Sequence, residues 1–193
     1  MLIETVDPDI AERIRIAESA ELTWDPITGG RRAWICFEDD ETYTLGSDPG
    51  GKRFEQIVQR TLEGHYYPAD AVVVHGRFQQ EGRQIRAGDR LVQSAPLLLG
   101  LGGPRLWSSV EVVLAATEHM PDGHRFRFGY VTTELHHGRG IWQAELTLIR
   151  DELSIRVTGT ASPHSWLFWL GLSVARYFQR RAWRRAIEEF RKS

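Results

Sequence analysis

Along residues 140–150, Trp142, Ala144, Leu146 and Leu148 alternate with Gln143, Glu145 and Thr147. A period of two marks a strand with one face buried and the other wet. The surrounding sequence supplies further strand-like segments near 71–78, 90–98, 106–118, 125–133 and 152–160, rich in β-branched and aromatic residues. Turn formers separate them: Glu81-Gly82, Gly102-Gly103-Pro104, Pro121-Asp122-Gly123, His137-Gly138 and Arg150-Asp151. Connections this short imply antiparallel neighbours. Upstream, 31–38 and 42–46 read as one strand or as a hairpin turning at Asp39-Asp40.

A period near 3.6 replaces the alternation in three places. Ile10, Ile14 and Ile16 among charged residues predict a short surface helix capped by Asp7 or Asp9. Phe54, Ile57, Val58 and Leu62 predict a second helix over 51–63. The chain closes with a long helix from about Ser162 or Pro163 to Phe190, with Ser162 as its cap. Val174, Phe178, Ala182, Ala186 and Phe190 line one side of that helix, while its first half, WLFWLGL from Trp166, is apolar nearly all round. An all-round apolar helix needs more than one covering surface, which a sheet curling around it supplies. The expectation is an α+β domain of about seven antiparallel strands facing a helix. One domain spans 1–193: an N-terminal helix and loop over 1–30, the sheet with its inserted helix over 31–160, and the final helix over 162–191.

A hydrophobic fraction of 41% and a charged fraction of 26% fit a folded domain and exclude a wholly disordered tail. The net charge of -2 attracts no nucleic acid globally, but it is unevenly spread. Residues 1–50 carry -8 and residues 164–193 carry +5, which suggests ion pairing between the two ends. The single cysteine, Cys36, lies in an apolar strand pattern and reads as a buried structural thiol, with no internal disulfide to form. With no leader pattern at the start of the chain, a cytoplasmic setting is expected. The WLFWLGL stretch is far shorter than the ~20 residues that cross a bilayer as a helix.

Four runs together resemble a known family: IRAGDRLVQSAP from Ile85, LGLGGPRLWSSVEVVLAATE, HRFRFGYVTTELHHGRG and TASPHSWLFWLGLSVARYFQRRAWRR. They are similar to the domain-of-unknown-function family nineteen-ninety, with ELTWDPITGG and the Phe54 helix resembling its N-terminal half. The resemblance implies the helix-grip (START-like) superfamily of lipid-transfer and birch-pollen-allergen-like proteins, in which a curved sheet grips a C-terminal helix around an apolar cavity. It brings no assigned reaction. Where the family commonly continues Gly-His-x-Glu-x-Gly-Glu, this chain has Leu135 to Ile141, keeping the histidine and the second glycine without the glutamates.

Candidate chemistry follows from these readings. Trp107, Tyr130, Trp142, Trp166 and Trp169, with Phe168, are candidate walls of a ligand cavity, or else ordinary core. His136 and Arg139 are candidates to orient a polar ligand end; their ordinary reading is a solvated turn. The leading function is a non-catalytic carrier or sensor for a small apolar or amphipathic ligand, without cofactor or metal. His119, His124 and the 136/137 pair match no metal-ligand spacing. A second reading is a cavity enzyme of cyclase, hydratase or hydrolase type. It would use His136 or Glu134 as acid or base, with a partner such as Glu145, Glu111 or Arg127 converging on the cavity. A third is peripheral docking on a membrane or partner through the apolar half and basic turns of the last helix. The oligomeric state is not legible.

Overall fold

The computed structural model describes residues 8–25, 36–96, 105–163 and 166–192, with side chains given for all of these except 8 and 163–178. Helix α1 (Pro8–Ser19) precedes strand β1 (Phe37–Ser47) and helix α2 (Lys52–Leu62). After these come β2 (Val73–Gly76), a single turn α3 (Arg77–Gln80), β3 (Arg90–Pro96) and β4 (Arg105–Met120). The chain ends with β5 (Gly123–Thr132), β6 (Gly138–Ile149), β7 (Glu152–Pro163) and helix α4 (Trp166–Lys192). The seven strands form one antiparallel sheet in the order β1-β7-β6-β5-β4-β3-β2. β2 to β7 are sequential neighbours, as short connections dictate, and β1 joins the far edge beside β7.

Strand alternation gives the sheet two different faces. Tyr130, Trp142, Leu146, Leu153, Ile155 and Val157 point inward, where they meet Phe54 and Ile57 of α2 and Ala182, Trp183, Ala186, Ile187 and Phe190 of α4 in one core. This is the helix-grip arrangement expected above. The buried Asp48 carboxylate accepts from the backbone N–H groups of Arg53 (3.1 Å) and Phe54 (2.8 Å), and so fixes the start of α2. On the outer face, α1 covers only the β2–β3 corner, where Ile14, Ala17 and Val92 form a small second cluster.

Several expectations need correction. Asp39 and Asp40 make no turn; both lie inside β1, paired with Gly159 and Thr158 of β7. Ser162 does not cap the last helix but is a buried β7 residue opposite Arg139. The strand expected over 71–78 is short, and Phe78 already belongs to α3. Cys36 is exposed and not buried: it lies just outside the ladder, which begins at Phe37. Residues 26–35, including most of the segment expected as strand over 31–38, lie outside the described residues, as does Gly100 to Gly103.

Candidate functional site

The inner face carries an aromatic cluster with Trp142 at its centre. Trp142 stacks on Tyr130 at 5.2 Å between ring centroids, meets Trp183 of α4 edge-on at 5.4 Å, and lies 6.5 Å from both Tyr66 and Tyr67. Tyr66 and Tyr67 come from the link between α2 and β2, and Phe128 packs 5.2 Å from Tyr66. Apart from the Tyr130–Trp142 stack within the β5–β6 hairpin, these contacts span elements far apart in sequence, so the whole cluster exists only when sheet, link and α4 are assembled.

Three hydroxyls and one amide are buried inside this cluster. Gln93 of β3 donates from Nε2 to the Tyr66 hydroxyl at 3.1 Å, and the Tyr130 hydroxyl interacts with both Gln93 and the Tyr67 hydroxyl. Burial raises all three phenols above their ordinary value, so they remain neutral donors and acceptors throughout the physiological range.

At the β1 edge the cluster opens into a notch of about 50 Å³, lined by Tyr67, Trp142, Val157, Trp183, Gln179, Arg180, Asp39 and Glu41. Asp39 and Glu41 occupy inward positions of β1, the register continued by Tyr43 opposite Ile155. Arg180 binds Asp39 at 2.8 Å, and the Tyr43 hydroxyl donates to Glu41. Trp183 is only 7% exposed, yet its indole Nε1 has no hydrogen-bond partner among the described residues. A buried donor left unpaired costs about 1–3 kcal/mol.

The structure brings together two of the residues singled out in the sequence, Tyr130 and Trp142. Trp107 it places on the opposite face, where it packs against the Ile14 and Val92 cluster under an Arg13 guanidinium 4.4 Å from its ring. The cause is a bulge in β4 between Val112 and Leu114, which exchanges inward and outward positions along that strand. Arg139 is exposed and outward-facing, one residue out of phase with Trp142. His136 closes the β5–β6 turn on itself: its Nδ1 accepts from the Gly138 N–H at 3.0 Å. Burial pushes this imidazole down to about 4, outweighing the opposing pull of the Gly138 carbonyl oxygen, 2.9 Å from Nδ1, which accepts from the protonated ring. The Glu134 carboxylate accepts from the Glu21 N–H in the same turn region. Trp166 and Trp169 lie on α4, but their side chains, like that of Phe168, are outside the described residues.

The partners expected to converge with His136 in an enzyme lie on the outer face instead. Glu111 pairs with Arg90 at 2.8 Å, Arg127 with Glu118, and Glu145 with Arg125 at 3.7 Å. His119 and His124 meet edge-on at 4.9 Å in the β4–β5 hairpin, a strand's length from His136 and His137, so the four imidazoles do not converge. His119 and His124 border a second, open groove of about 680 Å³ between α2 and the hairpin ends, lined also by Phe54, Val58 and Leu148.

Residues 40–189 match the family described as a domain of unknown function (DUF1990). The chain belongs to the DUF1990 family. Two crystal structures of the major latex-like protein 151 from Panax ginseng are similar to this DUF1990 chain at 12% identity, covering 77% of it and 98% of the ginseng protein, with TM-scores of 0.45 and 0.41. No curated protein matches the sequence. Among the described residues, no helix is long and apolar enough to cross a membrane.

Sequence reasoning passed over Tyr66, Tyr67, Gln93 and Trp183. Trp183 and Ile187 extend the apolar stripe of the last helix one position around from the spacing of four, which was a readable signal. Gln93 carried none: an amide inside a strand announces a partner only once the facing strand and the α2–β2 link are in place.

Proposed function

We propose that this DUF1990 protein binds a small amphipathic ligand whose polar group enters the notch between β1 and the C-terminal half of α4. The observation that carries this reading is the notch itself, an opening walled by the rings of Tyr67, Trp142 and Trp183 and rimmed by Asp39, Glu41 and Arg180. Its rim offers charged and polar side chains to the polar group of a ligand. Aromatic walls then hold the apolar part of the ligand at the mouth. Trp142, already a candidate from the sequence, lines the notch with Tyr67 and Trp183, and Tyr130 stacks behind Trp142. The notch is far smaller than the ~300–1,000 Å³ of pockets that enclose whole drug-sized molecules, so a functional group enters and the remainder lies over the opening.

Native mass spectrometry of freshly purified protein tests this, followed by denaturing extraction of any adduct. The expected result is a small-molecule adduct, co-purified or acquired from an aromatic and lipid library, that is lost in Trp183→Ala while the fold persists by circular dichroism. A clean apo mass after challenge with the library would remove the proposal.

A further inference from the structure

Resting on that reading, we propose that the notch takes the ammonium group of a cationic ligand, ahead of neutral or anionic ligands of the same skeleton. The face of an aromatic ring attracts a cation, most strongly in tryptophan. Three rings form the apolar side of the notch: Trp142 and Trp183 meet at 75° with centroids 5.4 Å apart, and Tyr67 lies 6.5 Å from Trp142. Opposite them the edge strand β1 places carboxylates at the inward positions 39 and 41, a row that Tyr43 and Leu45 continue as part of the core. Both carboxylates are half-buried. Carboxylates facing aromatic rings across a partly desolvated opening are best reconciled by a cation between them.

The charges around the opening do not balance. Its lining holds two carboxylates, Asp39 and Glu41, against one guanidinium, Arg180, which leaves a net charge of -1. Arg180 is fastened to Asp39 at 2.8 Å, so the excess carboxylate is Glu41. Glu41 accepts from the Tyr43 hydroxyl, a phenol that burial keeps neutral and that also interacts with Arg184, which does not line the notch. The resident cation already reports the field at this rim: Asp39 by direct contact and Glu41 through space both favour the charged form of Arg180. An ammonium group beside Glu41 gains a charge-assisted hydrogen bond and the ring faces, and it leaves Arg180 on Asp39. A carboxylate ligand would have to draw Arg180 away from Asp39 and would then lie beside two like charges. A neutral alcohol meets neither that penalty nor the gain.

The test is isothermal titration of the full chain at neutral pH with benzylamine, benzyl alcohol and benzoate, which share a ring and differ in charge. Benzylamine is expected to bind about fivefold more tightly than benzyl alcohol, with benzoate the weakest of the three. Glu41→Gln is expected to erase the advantage of benzylamine, and Arg180→Gln, which frees Asp39, to enlarge it. Benzyl alcohol or benzoate binding as tightly as benzylamine would overturn the charge preference and leave the ligand-binding reading standing. Binding of none of the three would overturn both. An unchanged preference in a folded Glu41→Gln protein would also overturn the inference. Should that variant fail to fold, the ranking in the unaltered protein and its decline with added salt decide.

Discussion

Trp107 and Trp142 are both sheet tryptophans with a helix above them, yet they sit in opposite chemical settings. Trp107 on the outer face is covered by α1 and by the Arg13 guanidinium, among strands whose outward residues form ion pairs from Asp40 and Arg156 through Glu145 and Arg125 to Glu118. Trp142 on the inner face meets four other aromatic side chains, and the polar groups around it are uncharged except at the rim. The outer face settles most of its polar groups by pairing opposite charges, the inner face with neutral hydroxyls and an amide. Both leave buried donors over: Arg90 Nη1, Ser109 Oγ, Arg125 Nε and Arg127 Nε outside, the Trp183 indole inside. What separates the two tryptophans is that Trp142 lines an aromatic notch, whereas Trp107 lies under α1 and Arg13.

The contrast can be broken first by size. Phe128 is fully buried beneath the inner cluster, and Phe128→Ala is expected to destabilise the fold by about 3–5 kcal/mol in denaturant unfolding. Trp107→Ala, at a half-buried outer position held chiefly by α1, is expected to cost less than half as much. Equal losses would mean that the outer cluster is as much a core as the inner one.

Charge sharpens the comparison next. The outer face carries ionised groups, whereas His136 is packed so that its neutral form is favoured, at about 4 against an ordinary 6.5. The unfolded chain therefore binds the extra proton between these values. Stability from this group is fully present above about pH 6.5 and is lost as the pH falls toward 4. With the ring's partial exposure discounted, the loss amounts to about 2 kcal/mol. His136→Gln is expected to flatten that part of the stability curve, and an unchanged slope would assign it to other groups. Smaller again, Arg13→Ala is expected to cost about 0.5–1 kcal/mol through the lost contact with Trp107. Arg156→Ala, at an exposed pair with Asp40, is expected to cost no more than about 0.5 kcal/mol and to leave ligand binding unchanged.

Much of this architecture was legible in the sequence because hydrophobic period decides it locally. The alternation at Trp142 to Leu148 and the stripe at Phe54 to Leu62 are visible within single elements, and both were placed correctly. What was not legible depends on registration between elements. Asp39 and Asp40 look like a turn until β7 pairs with them, and Trp107 looks like a cavity wall until the β4 bulge reverses its side. The acidic start and basic end of the chain did meet, through Asp39 with Arg180, since complementary charge needs only proximity. The aromatic notch was half legible: Tyr130 and Trp142 stood out by residue type, whereas Gln93 and the Tyr66-Tyr67 pair acquire meaning only from their neighbours across the core.

The most direct test of the division between the faces is the set of indole N–H signals in a ¹H–¹⁵N spectrum of the full chain, assigned by single Trp→Phe variants and followed as benzylamine is added. The expected result is that the Trp183 and Trp142 signals move together and saturate, while Trp107 stays fixed. Movement of Trp107 with Trp183 and Trp142 unmoved would contradict the assignment of the site to the inner face.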